Sequence, residues 1–499
     1  MYQKKQAPYG VFFVLFILIF GVCYLVSGIF NVPNVTIFNI EESLFYAFTH
    51  PLEAWNEKTP AVLCIGFLIW IMLIQYYMYH YRNFHPQEFG SSGWRDVNEA
   101  AKAYKDKIPK NNRILTQNLQ ISLEHGLPNN NMLLIASSGD FKTTSVVEQN
   151  LLQFGSTYIM LDVKGETQRK LGNAFLKAGY DVRSLNFKQP EKSDRYNPLV
   201  YVEREDDVLR LVKAVHDACR PPGNMTSGDP FWDDALNLYV TAIISAAWLS
   251  SRESGKVGTM NDVMKYINME SMSVLDPISG EETTQLQLHM DELAEKYGDE
   301  YPPVRDYRKL KQGAPDTVRS VILMVNAMFN ICETAEVKRI FSGNDINIRE
   351  LGSGIGGNPD KKTVLFLVIP DNNNVYNWII SMFYTQALDI LVRHSDDELK
   401  KPLPIRVEFW MDEFYAGARP ADTDVLLGVV RSRNICLIPV LQSLSQIKAL
   451  YKDDKWEIIQ DNTSAVLFLG SGPTADATHK YISELLGKST IDTRSDNVH

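Results

Sequence analysis

The chain has 499 residues, of which 45% are hydrophobic and 22% are charged, and this composition excludes a disordered or collagen-like protein. At roughly 150 residues per domain, the length favours about three domains. The formal net charge of −10 excludes nucleic-acid binding by a uniformly basic surface, but it leaves room for a local basic lining. Five cysteines without close spacing predict neither a disulfide framework nor a zinc module.

Two uncharged apolar segments lie near the N-terminus. The first, at residues 11–30, is long enough at about 1.5 Å per residue to cross a hydrocarbon core of about 30 Å, and the second lies at residues 61–79. Lysines and arginines flank the pair, whereas the segment between them carries mainly glutamates. By the positive-inside rule, the sequence predicts a two-pass anchor in the cell membrane, with the N-terminus and the large C-terminal body in the cytoplasm. A cleaved secretory signal and a buried core hairpin are the alternatives.

From about residue 85 the pattern changes to short apolar runs that alternate with helical segments, which is typical of an α/β domain with a parallel sheet. Between about residues 200 and 345, apolar residues instead recur at helical spacing, so this block is predicted to be an all-α insertion. Asp229 and Pro230 suit the N-cap and the first position of one of its helices, which gives the DPFWD motif a structural explanation. The predicted strands lie at residues 132–136, 158–162, 181–187, 363–370, 407–411, 435–441 and 465–469.

A candidate phosphate-binding loop follows the first predicted strand. Its order of strand, small-residue loop, Lys-Thr pair and helix is the context in which backbone N–H groups cradle phosphates. In this interpretation Lys142 reaches the outer phosphates and the Thr143 hydroxyl ligates Mg²⁺. The alternative is an ordinary strand-to-helix turn with Lys142 in its first turn. The residues of the loop are Ser137, Ser138, Gly139, Asp140, Phe141, Lys142, Thr143 and Thr144.

The loop departs from the pattern G-x-x-x-x-G-K-[ST] at two positions. Ala136 stands in place of the first glycine and Phe141 in place of the last, which leaves only the middle Gly139. A bulky side chain at position 141 restricts the backbone conformations that glycine tolerates, and Asp140 adds a negative charge near the expected anions. The loop alone therefore leaves both interpretations open.

Two acidic motifs stand at the ends of later strands. The segment VEFWMDE delivers Asp412 and Glu413 at the carboxyl end of a predicted strand, where open α/β sheets bind ligands. In a P-loop NTPase the first acid holds Mg²⁺ through water and the second orients the attacking water, but such a pair is also a common helix N-cap. The segment DVKGE at residues 162–166 follows another strand at the same edge, and a charged turn is its alternative interpretation.

Together these motifs resemble the TraG/TraD-type coupling proteins of conjugative type IV secretion systems, which are membrane-anchored relatives of RecA-like and FtsK-like DNA-pumping hexameric ATPases. The resemblance runs from the N-terminal hairpin through DVKGE, YNP and DPFWD to MDEF at residues 411–414. Its most specific part is RSRNICLIPVLQSLSQIKALY at residues 431–451, followed by LFLGSG and YISELLGK.

The resemblance implies roles for residues at one edge of the sheet. Asp412 and Glu413 correspond to the Walker B pair, and Thr143 and Asp412 become the expected ligands of Mg²⁺. Gln442, at the end of its strand, corresponds to the sensor that reads the γ-phosphate. Glu413 and Gln442 are therefore predicted catalytic residues, with ATP and Mg²⁺ as the cofactors.

A third predicted catalytic residue is an arginine. Arg431 corresponds to the finger that reaches into the site of a neighbouring subunit, and Arg433 is its near competitor. The alternative is a helix C-terminus, where basic residues complement the macrodipole without a catalytic task. The same resemblance implies a homo-hexamer.

The implied fold class is α/β, with a RecA-like P-loop NTPase domain that contains a parallel-rich sheet, an inserted all-α domain and an N-terminal two-helix transmembrane hairpin. The expected boundaries are residues 1–85 for the membrane anchor and 201–345 for the all-α domain. Residues 86–200 and 346–499 are expected to form the two parts of the nucleotide-binding domain. The resemblance also predicts sequence beyond His499, so a truncated or shortened chain is expected.

The implied function is that of a membrane-anchored ATPase that recruits single-stranded DNA with its bound relaxase and drives its conjugative transfer through the type IV secretion channel proteins. DNA contacts are then expected mainly with the phosphate backbone. The alternative is a substrate receptor of the same machinery that does not hydrolyse ATP, because Ala136 and Phe141 break the phosphate loop whose backbone donors stabilise the transition state. An unrelated membrane protein with a metabolic α/β domain is a third class, which the combined motifs disfavour.

Overall fold

The structure, a computed structural model, describes residues 9–80, 90–219, 230–277, 280–452 and 454–489. It divides into two units, one formed by Met1–Trp94 together with Ile482–His499 and the other by Arg95–Tyr481. Apolar helices make up most of the first unit, and a parallel sheet with its covering helices makes up the second.

Two long apolar helices match the uncharged runs of the sequence. They span Tyr9–Ser27 and Thr59–His80, and a short helix, Ile40–Thr49, lies between them. Both are long and apolar enough to cross a membrane, and only 17% and 11% of their most apolar windows are buried. This exposure distinguishes them from the core helices of a soluble protein, so they are candidate membrane spans.

Two polar contacts join the long helices, one at the turn of the hairpin and one further along. The indole Nε1 of Trp70 donates to the carbonyl oxygen of Phe12 at 2.9 Å. The hydroxyls of Ser27 and Thr59 lie 3.0 Å apart where the hairpin turns. Because an apolar environment offers polar groups no water, these mutual contacts stabilise the pairing of the two helices.

A seven-stranded sheet forms the centre of the second unit. Its spatial order is β7-β1-β6-β5-β2-β4-β3, and every neighbouring pair of strands is parallel. All seven predicted strands are confirmed, with ends that differ by one residue at most. The strands, numbered in chain order, are β1 Met132–Ile135, β2 Thr157–Val163, β3 Asp181–Asn186, β4 Thr363–Ile369, β5 Val407–Met411, β6 Ile435–Leu441 and β7 Ala465–Phe468.

The strands are predictable because other elements cover both faces of the sheet. Every residue of β1, β4, β5 and β6 is buried, so each of these strands is a nearly uninterrupted apolar run. On one face, Tyr158, Phe366 and Trp410 pack in one core cluster with Phe175 from the helix Glu166–Lys177. Large aromatic side chains of this kind supply much of the apolar area that stabilises such a core.

Helices fill the connections between strands, and the long connection from β3 to β4 is mostly helical. Its helix in the DPFWD motif begins at Pro230, as predicted, whereas the proposed N-cap Asp229 lies outside the described residues. The helices of this connection are Glu205–Cys219, Pro230–Glu253, Met260–Glu270, Gln285–Tyr297, Pro302–Lys311, Pro315–Phe329, Ala335–Ile340 and Ile348–Ser353. The remaining α-helices that the structure describes in this unit are Val97–Tyr104, Glu148–Leu151, Glu166–Lys177, Asn377–Arg393, Thr423–Val429, Leu444–Leu450, Lys455–Asp461 and Asp476–Leu486.

The helical connection also contains a short antiparallel hairpin that the apolar pattern does not reveal. It pairs Ser273–Leu275 with Glu282–Thr284. Each strand has three residues and none of them is buried, so hydrophobic periodicity gives no signal for it. A second pair of three-residue strands, Asn112–Ile114 and Gln120–Ser122, precedes β1. The expectation of a purely helical insertion is therefore corrected by this one hairpin.

Candidate nucleotide-binding site

Three neighbouring strands bring the predicted site residues to one edge of the sheet. Strands β1, β6 and β5 are adjacent and parallel, so their carboxyl ends lie side by side. The loop that contains Lys142 follows β1, the acidic pair follows β5, and Gln442 follows β6. Residues far apart in the sequence therefore meet at this edge.

The resulting group of five polar side chains is called the Lys142 cluster here. Nζ of Lys142 lies 2.7 Å from Oε1 of Glu413 and 3.8 Å from Oδ1 of Asp412. The Thr143 hydroxyl donates to Oδ2 of Asp412 at 2.8 Å, and Nε2 of Gln442 donates to Oε2 of Glu413 at 3.0 Å. Asp412 is thus contacted by both Lys142 and Thr143 of the phosphate loop, and Glu413 is held between Lys142 and Gln442.

Two adjacent carboxyl groups and one ammonium group share this cluster. Asp412 is buried, and this burial raises the pKa of its carboxyl, whereas the Lys142 ammonium and the Thr143 hydroxyl act in the opposite direction. The Glu413 side chain keeps 29% of its surface exposed. The ammonium of Lys142 therefore favours the ionised form of Asp412 in a place where burial opposes it.

Two of the three loops that form the Lys142 cluster contain a non-glycine residue in the left-handed backbone conformation. Glu413 has φ of +53° and Phe141 has φ of +54°. At Glu413 the turn is held by two backbone hydrogen bonds, from Gly417 N to Glu413 O at 2.7 Å and from Phe414 N to Val440 O at 3.1 Å. Residues in such sparsely populated regions cost about 1–3 kcal/mol each and concentrate at functional sites.

The phosphate loop closes on itself through Asp140. Oδ2 of Asp140 accepts a hydrogen bond from the backbone N–H of Ser137 at 2.7 Å, and the Asp140 N–H donates to the Ser137 carbonyl at 3.3 Å. Gly139 has φ of +93°, and Phe141 keeps 77% of its surface exposed. Phe141 therefore fits into the turn by adopting a backbone conformation that glycine takes without strain, with its ring directed to the outside.

A π-helical turn follows Lys142. It spans Thr143–Val147, and the α-helix Glu148–Leu151 continues it. The two remaining residues of the predicted loop, Ser138 and Thr144, are exposed. Single π-turns inside helices are frequent at functional sites.

The two candidate finger arginines lie at the opposite edge of the sheet. Arg431 precedes β6 whereas Gln442 follows it, and seven residues of strand at about 3.3 Å each separate them. Arg431 is exposed and forms no hydrogen bond or ion pair with any residue that the structure describes. Arg433 instead pairs with Asp396 at 2.7 Å and donates to the Val429 carbonyl. The structure therefore does not bring Arg431 to the Lys142 cluster of its own chain, and it gives Arg433 a structural partner.

Asp162 of the DVKGE segment caps a helix. Its carboxylate accepts hydrogen bonds from the backbone N–H groups of Thr167 at 3.2 Å and Gln168 at 2.7 Å, in the first turn of Glu166–Lys177. Burial raises the pKa of the Asp162 carboxyl, and these backbone donors act against the shift. The charged-turn interpretation is sufficient for this segment.

The sequence motifs assigned no role to two residues near the site, Gln446 and Arg419. Oε1 of Gln446 accepts a hydrogen bond from the Gln442 N–H at 2.8 Å, and its signal is the four-residue spacing within LQSLSQ. Arg419, six positions after Glu413, is buried with only 8% of its surface exposed. No local pattern distinguishes Arg419 from a solvent-exposed arginine, since its burial depends on elements distant in the sequence.

The comparison with protein families agrees with the fold and with the order of the motifs. The family model described as "Type IV secretory system Conjugative DNA transfer" matches residues 92–499. The chain belongs to this family. The resemblance to conjugative coupling proteins, first suggested by the motifs, is thus confirmed, and the match covers the whole sheet and the helical connection.

Curated relatives of the chain are distant in sequence. Protein VirD4 of Rhizobium rhizogenes is 22% identical over 385 residues, and protein VirD4 of Agrobacterium fabrum is 22% identical over 387 residues. Each match covers 73% of this chain and 50% of the relative. The chain thus spans about half the length of the curated relatives it matches.

Solved structures of the conjugative coupling protein TrwB share the fold. Its unbound monoclinic form superposes with a TM-score of 0.58 at 13% identity, over 82% of this chain and 85% of that chain. The form in complex with the ATP analogue ADPNP gives 0.58 at 12% identity, over 82% and 86%. The form with ADP and Mg²⁺ gives 0.56 at 13% identity, over 80% and 82%. The predicted fold class is confirmed by this likeness.

The cap formed by Asp162 leads to a prediction for stability. Asp162→Ala is expected to lower the free energy of unfolding by about 1–2 kcal/mol, because it removes the acceptor of two N–H groups in the first helical turn. Urea denaturation of the detergent-solubilised chain, followed by tryptophan fluorescence, measures the change. Asp360→Ala, at an exposed carboxylate, is the matched control and is expected to change stability by less than about 0.5 kcal/mol. Equal stability of the two variants would contradict the capping role.

Proposed function

We propose that the chain is a membrane-anchored ATPase that engages single-stranded DNA with its bound relaxase and drives it through a type IV secretion channel. The observation that supports it most is the convergence of Lys142, Thr143, Asp412, Glu413 and Gln442 at one edge of the sheet. Membership of the conjugative DNA transfer family and the nucleotide complexes of TrwB support the same activity. Residues 86–200 and 346–499 then form the nucleotide-binding domain, and residues 201–345 form a helical domain that receives substrates.

The donor groups of the Lys142 cluster suit ATP and Mg²⁺. The Thr143 hydroxyl and the Asp412 carboxylate are hard oxygen ligands, and their hydrogen bond already places them together for one small cation. Lys142 is the cation for the outer phosphates. When bound, Mg²⁺ neutralises negative charge on the β- and γ-phosphates.

In the hydrolytic step, Glu413 orients the attacking water and accepts its proton, and two contacts control its availability. Lys142 holds Oε1 and Gln442 holds Oε2 in the structure. When Lys142 turns to a phosphate oxygen, Oε1 of Glu413 is released for the water. Gln442 keeps its contact with Oε2, so the carboxylate stays oriented while its other oxygen becomes free.

Arg431 is assigned to the site of a neighbouring subunit in a homo-hexamer. Its exposure and its place at the edge opposite to the Lys142 cluster support this assignment. A side chain that acts in trans has to project from the surface of its own subunit in order to reach the neighbouring one. An arginine supplied in this way stabilises charge on the transferred phosphoryl group.

The proposal predicts complementation between two inactive variants. Glu413→Gln is expected to lower ATP turnover by about 10²-fold or more, and Arg431→Ala by about 10³-fold. Random mixing of the two variants in equal amounts restores an intact pairing of Glu413 with a neighbour's Arg431 at about one interface in four. Turnover of the purified mixture is therefore expected to recover to about a quarter of the wild-type rate.

The separate variants at the same total concentration serve as controls for this mixing experiment. Lys142→Ala, which lacks the phosphate-binding cation, is expected to be inactive and to gain nothing from mixing with Glu413→Gln, since both defects lie in the same half of the site. Full turnover in the Lys142→Ala variant would contradict the catalytic proposal. Inactive Glu413→Gln and Arg431→Ala variants that show no recovery on mixing would contradict only the assignment in trans.

A second candidate function is a receptor of the same machinery that does not hydrolyse ATP. It is favoured by Asp140, whose carboxylate accepts a hydrogen bond from the Ser137 N–H. This N–H is therefore not available to donate to a phosphate oxygen. The left-handed Phe141 favours it as well, since a phenylalanine holds this conformation less readily than glycine does. In that case, Lys142 and Glu413 remain paired permanently.

Restoring glycine in the loop separates the two candidates. The double variant Ala136→Gly and Phe141→Gly is expected to raise ATP turnover by about tenfold if the loop limits hydrolysis, because the backbone donors then reach the phosphates without strain. Steady-state phosphate release of both proteins, with and without single-stranded DNA, is the measurement. Substantial and equal turnover in the two proteins would reject the receptor. Gly139→Ala, at a φ that disfavours alanine, is the opposing control and is expected to lower any turnover.

The two candidate spans are proposed to place the N-terminus and the body in the cytoplasm, which the flanking lysines and arginines support. A cysteine introduced by Glu53→Cys, between the spans, is expected to react with a membrane-impermeant maleimide in intact cells. A cysteine introduced by Asp360→Cys, in the body, is expected to react only after permeabilisation. The native chain is the control, which gives the labelling of its own five cysteines. Labelling of position 360 in intact cells would contradict this topology.

A further inference from the structure

A cavity of about 1050 Å³ lies beside the loop that follows Glu413. One wall comes from this loop and from the start of the helix Asn377–Arg393, which follow β5 and β4 at the carboxyl edge of the sheet. The opposite wall comes from the helices Glu205–Cys219 and Pro315–Phe329 of the helical connection. The cavity is therefore distinct from the Lys142 cluster, although it opens at the edge of the sheet where α/β proteins bind ligands.

Arg419 lines this cavity and has no carboxylate partner among the described residues. Its side chain is buried, its Nη1 donates to the Tyr415 carbonyl at 3.1 Å, and its Nε has no hydrogen-bond partner in the part of the chain that the structure describes. Burial lowers the pKa of the guanidinium, and only two tyrosines act against this shift. A buried cation without a counter-ion is costly, so it indicates a place where an anion completes the structure.

A second polar group, on Asn377, belongs to the same wall. Its Oδ1 is buried and forms no hydrogen bond with any described residue, while its Nδ2 donates to the Ala416 carbonyl at 3.0 Å and so fixes the orientation of the amide. Two residues that line the cavity thus each carry a buried polar atom without a hydrogen-bond partner among the described residues, a donor on Arg419 and an acceptor on Asn377. A ligand that carries both an anionic group and an N–H group satisfies the two together.

The remaining lining favours a ligand with an aromatic ring. Trp378 and Tyr415 line the cavity, and methionines of the helix Pro315–Phe329 add apolar surface. The one carboxylate among the described lining residues, Asp217, is paired with Lys213, so its charge opposes an anion less than a free acid would. Aromatic side chains in this position stack on nucleobases.

We propose that this cavity binds a nucleoside phosphate, with the phosphate on Arg419, a base N–H on Asn377, and the base against Trp378 or Tyr415. The nucleoside phosphate is either a free mononucleotide or one residue of a single strand, since both present the same chemistry. The inference does not depend on hydrolysis at the Lys142 cluster. It adds a second, separate contact for nucleotides to the proposed function.

The experiment uses the full detergent-solubilised chain with Lys142→Ala, so that nucleotides bound at the Lys142 cluster do not obscure the cavity. The probes are dCMP, titrated by calorimetry, and a fluorescein-labelled oligo(dC) of about 20 nucleotides, followed by anisotropy at constant salt. Arg419→Gln is expected to weaken binding of at least one probe by about tenfold or more, because it removes a charge-assisted hydrogen bond. Arg319→Gln removes an exposed positive charge on the helix Pro315–Phe329 and is the matched control, expected to stay within about twofold.

The outcomes distinguish the sources of the nucleoside phosphate. If Arg419→Gln weakens binding of both probes, the result supports a mononucleotide pocket. If it weakens binding of the oligonucleotide alone, the result supports a contact for a single strand. Equal binding of both probes before and after Arg419→Gln overturns the proposal. Binding of an acidic peptide that depends on Arg419, without binding of either nucleotide, overturns it in favour of a carboxylate ligand.

A second variant covers the case in which Arg419→Gln does not fold. Asn377→Asp is nearly isosteric and places a negative charge on the same wall, so it is expected to weaken the same probes by repulsion of the phosphate. Unchanged binding in Asn377→Asp overturns the proposal as well. ATP turnover of the chain with Lys142 intact is measured separately, so that failure of the hydrolytic function is not confused with failure of this site.

Discussion

The adjacency of β1, β6 and β5 is the constraint on which the candidate site depends. Parallel neighbours end at the same edge of a sheet, so three loops from distant parts of the chain meet there. The ion pair between Lys142 and Glu413, at 2.7 Å, is the direct consequence. If β6 did not separate β1 from β5, Gln442 would have no place between the phosphate loop and the acidic pair.

The Lys142–Glu413 pair also connects the electrostatics of the site with its backbone. Burial disfavours the charge on Asp412, and the ammonium of Lys142 opposes this effect. The backbone at Glu413 and at Phe141 is left-handed, so both partners of the ion pair are positioned by turns that most residues avoid. A ligand can thus replace the contacts that the charged groups of the cluster make with one another. The backbone that carries these groups stays in its left-handed conformation.

One short loop after β5 links the Lys142 cluster to the cavity. The N–H of Gly417 donates to the Glu413 carbonyl at 2.7 Å, and Arg419 follows two residues later with its own N–H on the Ser381 hydroxyl. The helical connection closes the other side of the cavity. The helices between β3 and β4 therefore do more than extend the chain, because together with the sheet edge they form the walls of a partly apolar cavity.

The amino-acid sequence by itself determined the seven strands and the two apolar helices, because apolar runs are local signals. The members of the Lys142 cluster were predicted by the short motifs together with the family resemblance, which alone pointed to Gln442. It did not reveal the strand order, the exposed hairpin at Ser273–Leu275, or the pairing of Arg433 with Asp396. Only the tertiary structure decided that Asp162 is a cap, that Arg431 lies at the far edge of the sheet, and that Arg419 is buried without a counter-ion among the described residues. The physical reason is that burial and pairing depend on which distant segments cover a residue, and no local pattern records that information.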